Sequence, residues 1–172
     1  MMRMESESGG GEDFVTELMA ETEQRAEVAV WEAAQHLRGR VVERLTGQRS
    51  GRRYYVPGAE NATYTASNPS QAPASATGKL RQNIAAESPR WFGHEVGARV
   101  GVDLRVVPYA RRLEFGGVHV QARDQVVRSP DGFFMVKAGT VIRTDPRPFL
   151  RPTLDAERTT MERMMQDRLD RG

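Results

Sequence analysis

Through the first part of the chain, apolar positions recur every three or four residues: Val15, Leu18, Met19, Ala26, Ala29, Val30, Ala33, Leu37, Val41 and Leu45. About half of the residues between them are charged, and neither proline nor a turn signal interrupts them before Gly47. That period predicts one amphipathic helix from Glu12 to Leu45. At ~1.5 Å per residue it runs to about 50 Å, more than the ~30 Å width of a small domain. Such a helix either bends, with Gly39 the available place, or reaches past its own domain to a neighbour. Its alanine-rich centre, Ala26, Ala29, Ala33 and Ala34, suits close helix packing.

After Gly47 the period changes. Tyr54-Tyr55-Val56 and Ala62-Thr63-Tyr64-Thr65 lie around Pro57-Gly58 and predict a hairpin. Ser67–Ala76, which holds Pro69 and Pro73, reads as a loop. Thr77 reads as the N-cap of a short helix over Gly78–Ala86, with Leu80 and Ile84 on one face. Val96, Ala98, Val100 and Val102 alternate with Gly97, Arg99, Gly101 and Asp103, the pattern of one half-buried strand. Val118–Val127 and Gly132–Ile142 are two β-rich runs around Ser129-Pro130-Asp131-Gly132, and they predict a projecting hairpin arm over residues 118–143. A closing helix over Arg151–Arg168 carries the apolar stripe Leu154, Met161, Met164, Met165 and Leu169.

Between the strand regions stands Pro108-Tyr109-Ala110-Arg111-Arg112-Leu113-Glu114-Phe115-Gly116-Gly117. Proline is tolerated at a helix start, and Tyr109 and Leu113, four apart, share a face of one helical turn. Gly116-Gly117 stops that turn. Phe115 reads as a buried anchor, with Tyr109 and Leu113 pinning the turn to the sheet and closing helix. A second clasp, Pro146-Arg147-Pro148-Phe149-Leu150, offers Phe149 as its packing partner. The fold class that follows is α+β: a long N-terminal amphipathic helix and a C-terminal helix packed on a mainly antiparallel sheet, with a short helix and a projecting β-hairpin. Residues 1–11, acidic and glycine-rich, predict a flexible tail ahead of a single domain over 12–172.

Composition sharpens this picture in three ways. Apolar residues make up 38% of the 172 and mean hydropathy is −0.60, so part of the chain is expected outside the core or buried only on assembly. Of 25 basic residues only Lys79 and Lys137 are lysine. Arginine suits interfaces and phosphates, while a GC-rich coding sequence explains the same bias, and both readings stand. With no cysteine, disulfides and thiolate metal sites are excluded and a reducing aqueous compartment is expected. No stretch nears the ~20 apolar residues of a membrane span, and residues 1–11 do not read as a secretory signal.

Few residues of the chain point to chemistry. His36, His94 and His119 lack metal or triad spacing, and Gly78-Lys79 fails as a phosphate loop because Pro73 and Leu80 replace required residues. Glu114 is a lone acid or base candidate whose ordinary role is an ion pair with Arg111 or Arg112. No catalytic residue, cofactor or metal is therefore expected. Arg49, Arg52 and Arg53 beside Tyr54 and Tyr55 form a basic and aromatic cluster, and Arg123 and Arg128 lie on the hairpin, so these five arginines are the candidates for a DNA-channel or interface role. A net charge of +2 argues against a primary nucleic-acid role, which is kept as the alternative, an accessory protein using Arg49–Tyr55.

Three segments together resemble one family. Ala72-Pro73-Ala74-Ser75-Ala76-Thr77-Gly78-Lys79-Leu80-Arg81 is similar to a Pro-Pro-x-x-x-Thr-Gly-x-Leu pattern, with Ala72 in place of the first proline. Tyr109-Ala110 to Glu114-Phe115-Gly116 matches Tyr-Ala-x-x-x-Glu-Phe-Gly, and Arg147-Pro148-Phe149-Leu150-Arg151-Pro152 matches Arg-Pro-Phe-Leu-Arg-Pro before a final helix. In this order, after a long amphipathic helix, they resemble the tail-completion, or minor tail component, family of lambda-like long-tailed bacteriophages; the Val118–Ile142 region looks expanded. The resemblance implies a non-enzymatic virion protein of the neck, assembled in the host cytoplasm. It further implies a homo-oligomeric ring around the DNA channel, with six subunits expected, touching other neck, tail-terminator and tail-tube proteins and contacting packaged DNA without sequence readout. Its motif residues, Thr77, Gly78, Leu80, Pro108, Tyr109, Leu113, Glu114, Phe115, Gly116, Pro148, Phe149 and Leu150, would then be structural.

Overall fold

A computed structural model describes residues 10–171, with side chains from Thr16 onward. The first nine residues of the expected flexible tail lie outside the described residues, whereas Gly10 and Gly11 belong to the first helix. That helix, α1 (Gly10–Thr46), is a single continuous element of 37 residues, about 55 Å at ~1.5 Å per residue. It stays helical through Gly39, the place the sequence offered for a bend.

The chain then alternates short elements: β1 (Arg53–Tyr55), β2 (Thr63–Thr65), α2 (Lys79–Gln82), β3 (Ile84–Ala86), β4 (Arg90–Phe92), β5 (Glu95–Gly97), β6 (Val100–Val102), α3 (Ala110–Phe115), β7 (Gly117–Val120), β8 (Gln125–Ser129), β9 (Gly132–Val136), β10 (Val141–Thr144) and α4 (Arg151–Asp170). All strands pair antiparallel, and the class is α+β. The strands form five two-stranded ladders, β1–β2, β3–β6, β4–β5, β7–β10 and β8–β9.

Three local expectations need correction. The helix expected over Gly78–Ala86 stops at Gln82, where Asn83 turns the chain and its Nδ2 donates to the Lys79 carbonyl at 2.8 Å. Ile84–Ala86 then pairs with Val100–Val102, so a long-range ladder overrides local helix propensity. The single strand expected over Val96–Val102 is two strands, because β5 closes a hairpin with β4 while β6 crosses to β3. The two runs of the arm are four strands. β8 and β9 form its tip around Pro130-Asp131, and β7 with β10 forms its base.

α4 lies antiparallel along α1. Glu157 meets His36 and Arg40, while Arg168, eleven residues on, approaches Glu32. Ala29, Ala33 and Ala34 are buried in the centre of α1, where small side chains let neighbours come close. Met161, Met164 and Met165 are half-buried, while Leu154 and Leu169 at the ends of that stripe are exposed. The main core gathers at the other end of α1. Val41 and Leu45 meet Ala72, Leu80, Ile84, Val107, Ala110 and Phe149, with Tyr109, Leu113 and Leu150 packed against them.

Candidate functional site

The segment after β10 returns to α3, and there the three family-like motifs converge. α4 begins without a capping side chain of its own: Leu150 sits at the cap position, and a proline lies in the first turn. The first N–H groups of a helix have no partner inside it. Glu114, on α3, supplies one. Its Oε2 accepts from the Phe149 and Leu150 N–H groups at 2.8 and 3.0 Å, and its Oε1 accepts from Arg151 N–H at 2.9 Å. A carboxylate at a helix N-terminus is also favoured by the helix dipole. Glu114 is 7% exposed, and the ion pair expected with Arg111 or Arg112 is absent among the described residues. Its place is taken by three backbone donors about 35 residues away. The Arg147 N–H donates to the Leu113 carbonyl at 2.6 Å and ties the same junction again.

Burial follows from this cap. Ala110 and Glu114, four apart on one turn, are the buried positions of α3, while Tyr109 and Leu113 are half-buried beside the core. Successive helical residues are turned by about 100°, so Phe115 faces outward. The buried anchor expected at Phe115 is therefore corrected: the ring is 62% exposed and rims an open apolar recess of about 440 Å³ with Val102, Leu104 and Leu150. Phe149, at 0% exposure, is the anchor. Pro108 is exposed just before the turn, and Pro148 is half-buried just before Phe149. Gly116 has φ 74°, and a Cβ there would meet Pro146 Cδ and the Thr144 carbonyl oxygen at 3.0 Å. Thr77 is exposed and does not cap α2 as expected. Gly78 occupies the cap with φ 75°, Thr77 Oγ1 accepts from Lys79 N–H at 3.4 Å, and Leu80 is buried in the cluster that holds Phe149.

The candidate arginines part company. Arg49 is half-buried, and its guanidinium donates to the carbonyls of Arg44, Gly47, Gln48 and Pro73, closing the C-terminal end of α1 onto the following loop. Burial, and then the neighbouring Arg44, lower its pKa from the ordinary arginine value. Arg52 joins the β1–β2 hairpin to the arm, through Asp131 at 3.4 Å and Ser129 Oγ at 3.3 Å. Arg53 donates to Thr63 Oγ1 at 3.0 Å. Tyr54 stacks obliquely on Tyr64, with centroids 6.0 Å apart, and Tyr55 is half-buried. Arg123 and Arg128 on the arm are exposed. Within Arg49–Tyr55, Arg49 is thus tied to backbone carbonyls, while Arg52 and Arg53, each hydrogen-bonded, stay exposed.

Exposed apolar side chains stand on the arm and near the start of α1. On the arm these are Val118, Val120, Val126, Phe133, Phe134, Met135 and Val141, and on α1 they are Leu18 and Met19. The strand alternation held the signal, but only the pairing register shows which positions share a face. Among the described residues no group of three or more His, Asp or Glu side chains is placed to hold a metal ion, and no helix is long and apolar enough to cross a membrane. Comparison with protein-family models, with curated proteins and with solved structures finds no match.

Proposed function

We propose that this chain is a structural subunit of the neck of a long-tailed phage particle, completing the head-proximal end of the tail and joining head to tail as one member of a ring around the DNA channel. The observation that supports this reading is the convergence of the three motif segments. Leu80, Ala110 and Phe149 share one core, and Glu114 caps the helix that the third motif opens. Leu80, Ala110, Glu114 and Phe149, drawn from all three segments, thus hold one another in place, while Thr77, Pro108 and Phe115 stay exposed. The surfaces they position, an over-long helix and an apolar arm, suit a subunit that completes its burial in an assembly.

The alternatives find less support. As a general acid or base Glu114 would act at the edge of the recess beside Phe115, where its carboxylate is already held by three N–H groups and is 7% exposed. As a nucleic-acid-binding cluster, Arg49–Tyr55 has Arg49 held on backbone carbonyls, which leaves Arg52 and Arg53 as its exposed cations. The test is genetic. Loss of the gene from its phage is expected to yield full heads and separate tails, rejoined when purified protein is added to the lysate. Infectious particles of normal appearance in its absence, or a neck density map without this chain, would overturn the proposal.

A further inference from the structure

On the arm tip, Val126 faces Met135 and Arg128 faces Phe133 in register, so these four share one face of the ribbon. All four are exposed, Phe133 to 77%. On the arm base, a separate ladder, Val120 faces Val141 and Val118 faces Arg143, and these four are exposed as well. A two-stranded ribbon is marginal in water unless a further strand or a helix covers its apolar face. The cover this ribbon needs is amphipathic and acidic, because Arg123, Arg128, Lys137 and Arg143 make no ion pair among the described residues.

The chain itself offers such a helix, at its other end. α4 ends beside Glu21, Gln24, Arg25 and Val28, while α1 runs on to Gly10. Residues 16–20 of that overhang are exposed at every position, Leu18 and Met19 included. Between Gly10 and Gln24 the sequence holds Glu12, Asp13, Glu17, Glu21 and Glu23, and no lysine or arginine. We infer that the N-terminal overhang of α1 docks on the exposed apolar face of the arm of a second copy of this chain, Leu18 and Met19 meeting the valines and Phe133, with glutamates beside Arg128 and Arg143. Two different surfaces then join each pair of copies, which is the head-to-tail contact that closes into rings when the rotation permits. The inference rests on the neck reading only for the claim that copies join, and it names the surfaces.

The test exchanges charge between the two surfaces of the full-length chain. One variant carries Glu17→Lys and Glu23→Lys, the other Arg128→Glu and Arg143→Glu, and all four positions are exposed, so the fold is expected to persist by circular dichroism. Each variant alone is expected to self-associate at least about tenfold more weakly than the unaltered chain at low salt, because like charges meet. Mixed together, the two are expected to recover association, since each overhang then faces an arm of opposite charge; sedimentation velocity reads both results. As the chain has no cysteine, Met19→Cys in one copy and Val126→Cys in another are also expected to give a disulfide-linked dimer. Association unchanged in both variants would place the joint elsewhere and overturn the inference while leaving the neck reading intact. A mixture that fails to recover would overturn it too. So would an unaltered chain that stays monomeric, whether or not it binds duplex DNA through the arm.

Discussion

Glu114 is the residue through which two remote segments hold each other. Its carboxylate answers three N–H groups that α4, opening without a capping side chain, would otherwise bury unpaired. Removing the acceptor takes the protein partner from three N–H groups, one of them buried, which is the costly direction of hydrogen-bond loss. Glu114→Ala is therefore expected to destabilise the chain by on the order of 3 kcal/mol in urea unfolding. Phenylalanine supplies the control. Phe149→Ala, at the centre of the core, is expected to cost about 3–5 kcal/mol, while the exposed Phe115 should tolerate alanine within about 0.5 kcal/mol. A reversed order for the two phenylalanines would refute the packing described here.

At the scale of elements, the α1–α4 pair is latched by Glu157. His36 Nε2 lies 2.8 Å from one of its oxygens, and Arg40 Nε donates to the other at 2.7 Å. The hydrogen bond from His36, followed by that from Arg40, holds the Glu157 carboxyl below the ordinary glutamate range. A lowered pKa in the folded state means that folding favours the charged form. Its contribution is complete above the unfolded pKa and is lost as pH falls through the folded one. Acidification through the carboxylate range is thus expected to lower Tm, and Glu157→Gln should flatten that slope. An identical acid-side slope in the two proteins would show that the latch does not titrate with folding. The strand pairs differ in kind from this latch, since each has only two strands and leans on helices or on one another for stability.

For the whole molecule, stability is expected to be graded. The cluster of Val41, Leu45, Leu80, Ile84, Val107 and Phe149 sits where α1, the β3–β6 ladder, α3 and the start of α4 meet. The arm and the N-terminal overhang of α1 carry exposed side chains and few tertiary supports. Amide exchange in the isolated chain is expected to be slowest around that cluster and fastest in the overhang and the arm tip; uniform protection would contradict this.

By itself the sequence determined what depends on local period and turn chemistry. The unbroken pattern from Val15 to Leu45 was enough for a long helix, Pro130-Asp131 for the tip of the arm, and Gly116 for the stop after α3. The α+β class followed from these. Tertiary structure alone decided the rest, because the deciding partners lie far apart in the chain. Ile84–Ala86 became a strand because Val100–Val102 was there to pair with it. Phe115 turned outward because Glu114, its neighbour, turned in to meet a helix start 35 residues on. Arg49 was spent on the carbonyls that end α1 and on Pro73. Hydrophobic spacing records which residues want burial and with what period. It carries no record of which remote donors, ladders or helix ends will claim them, and at the junction of α3 and α4 that claim is what sets the structure.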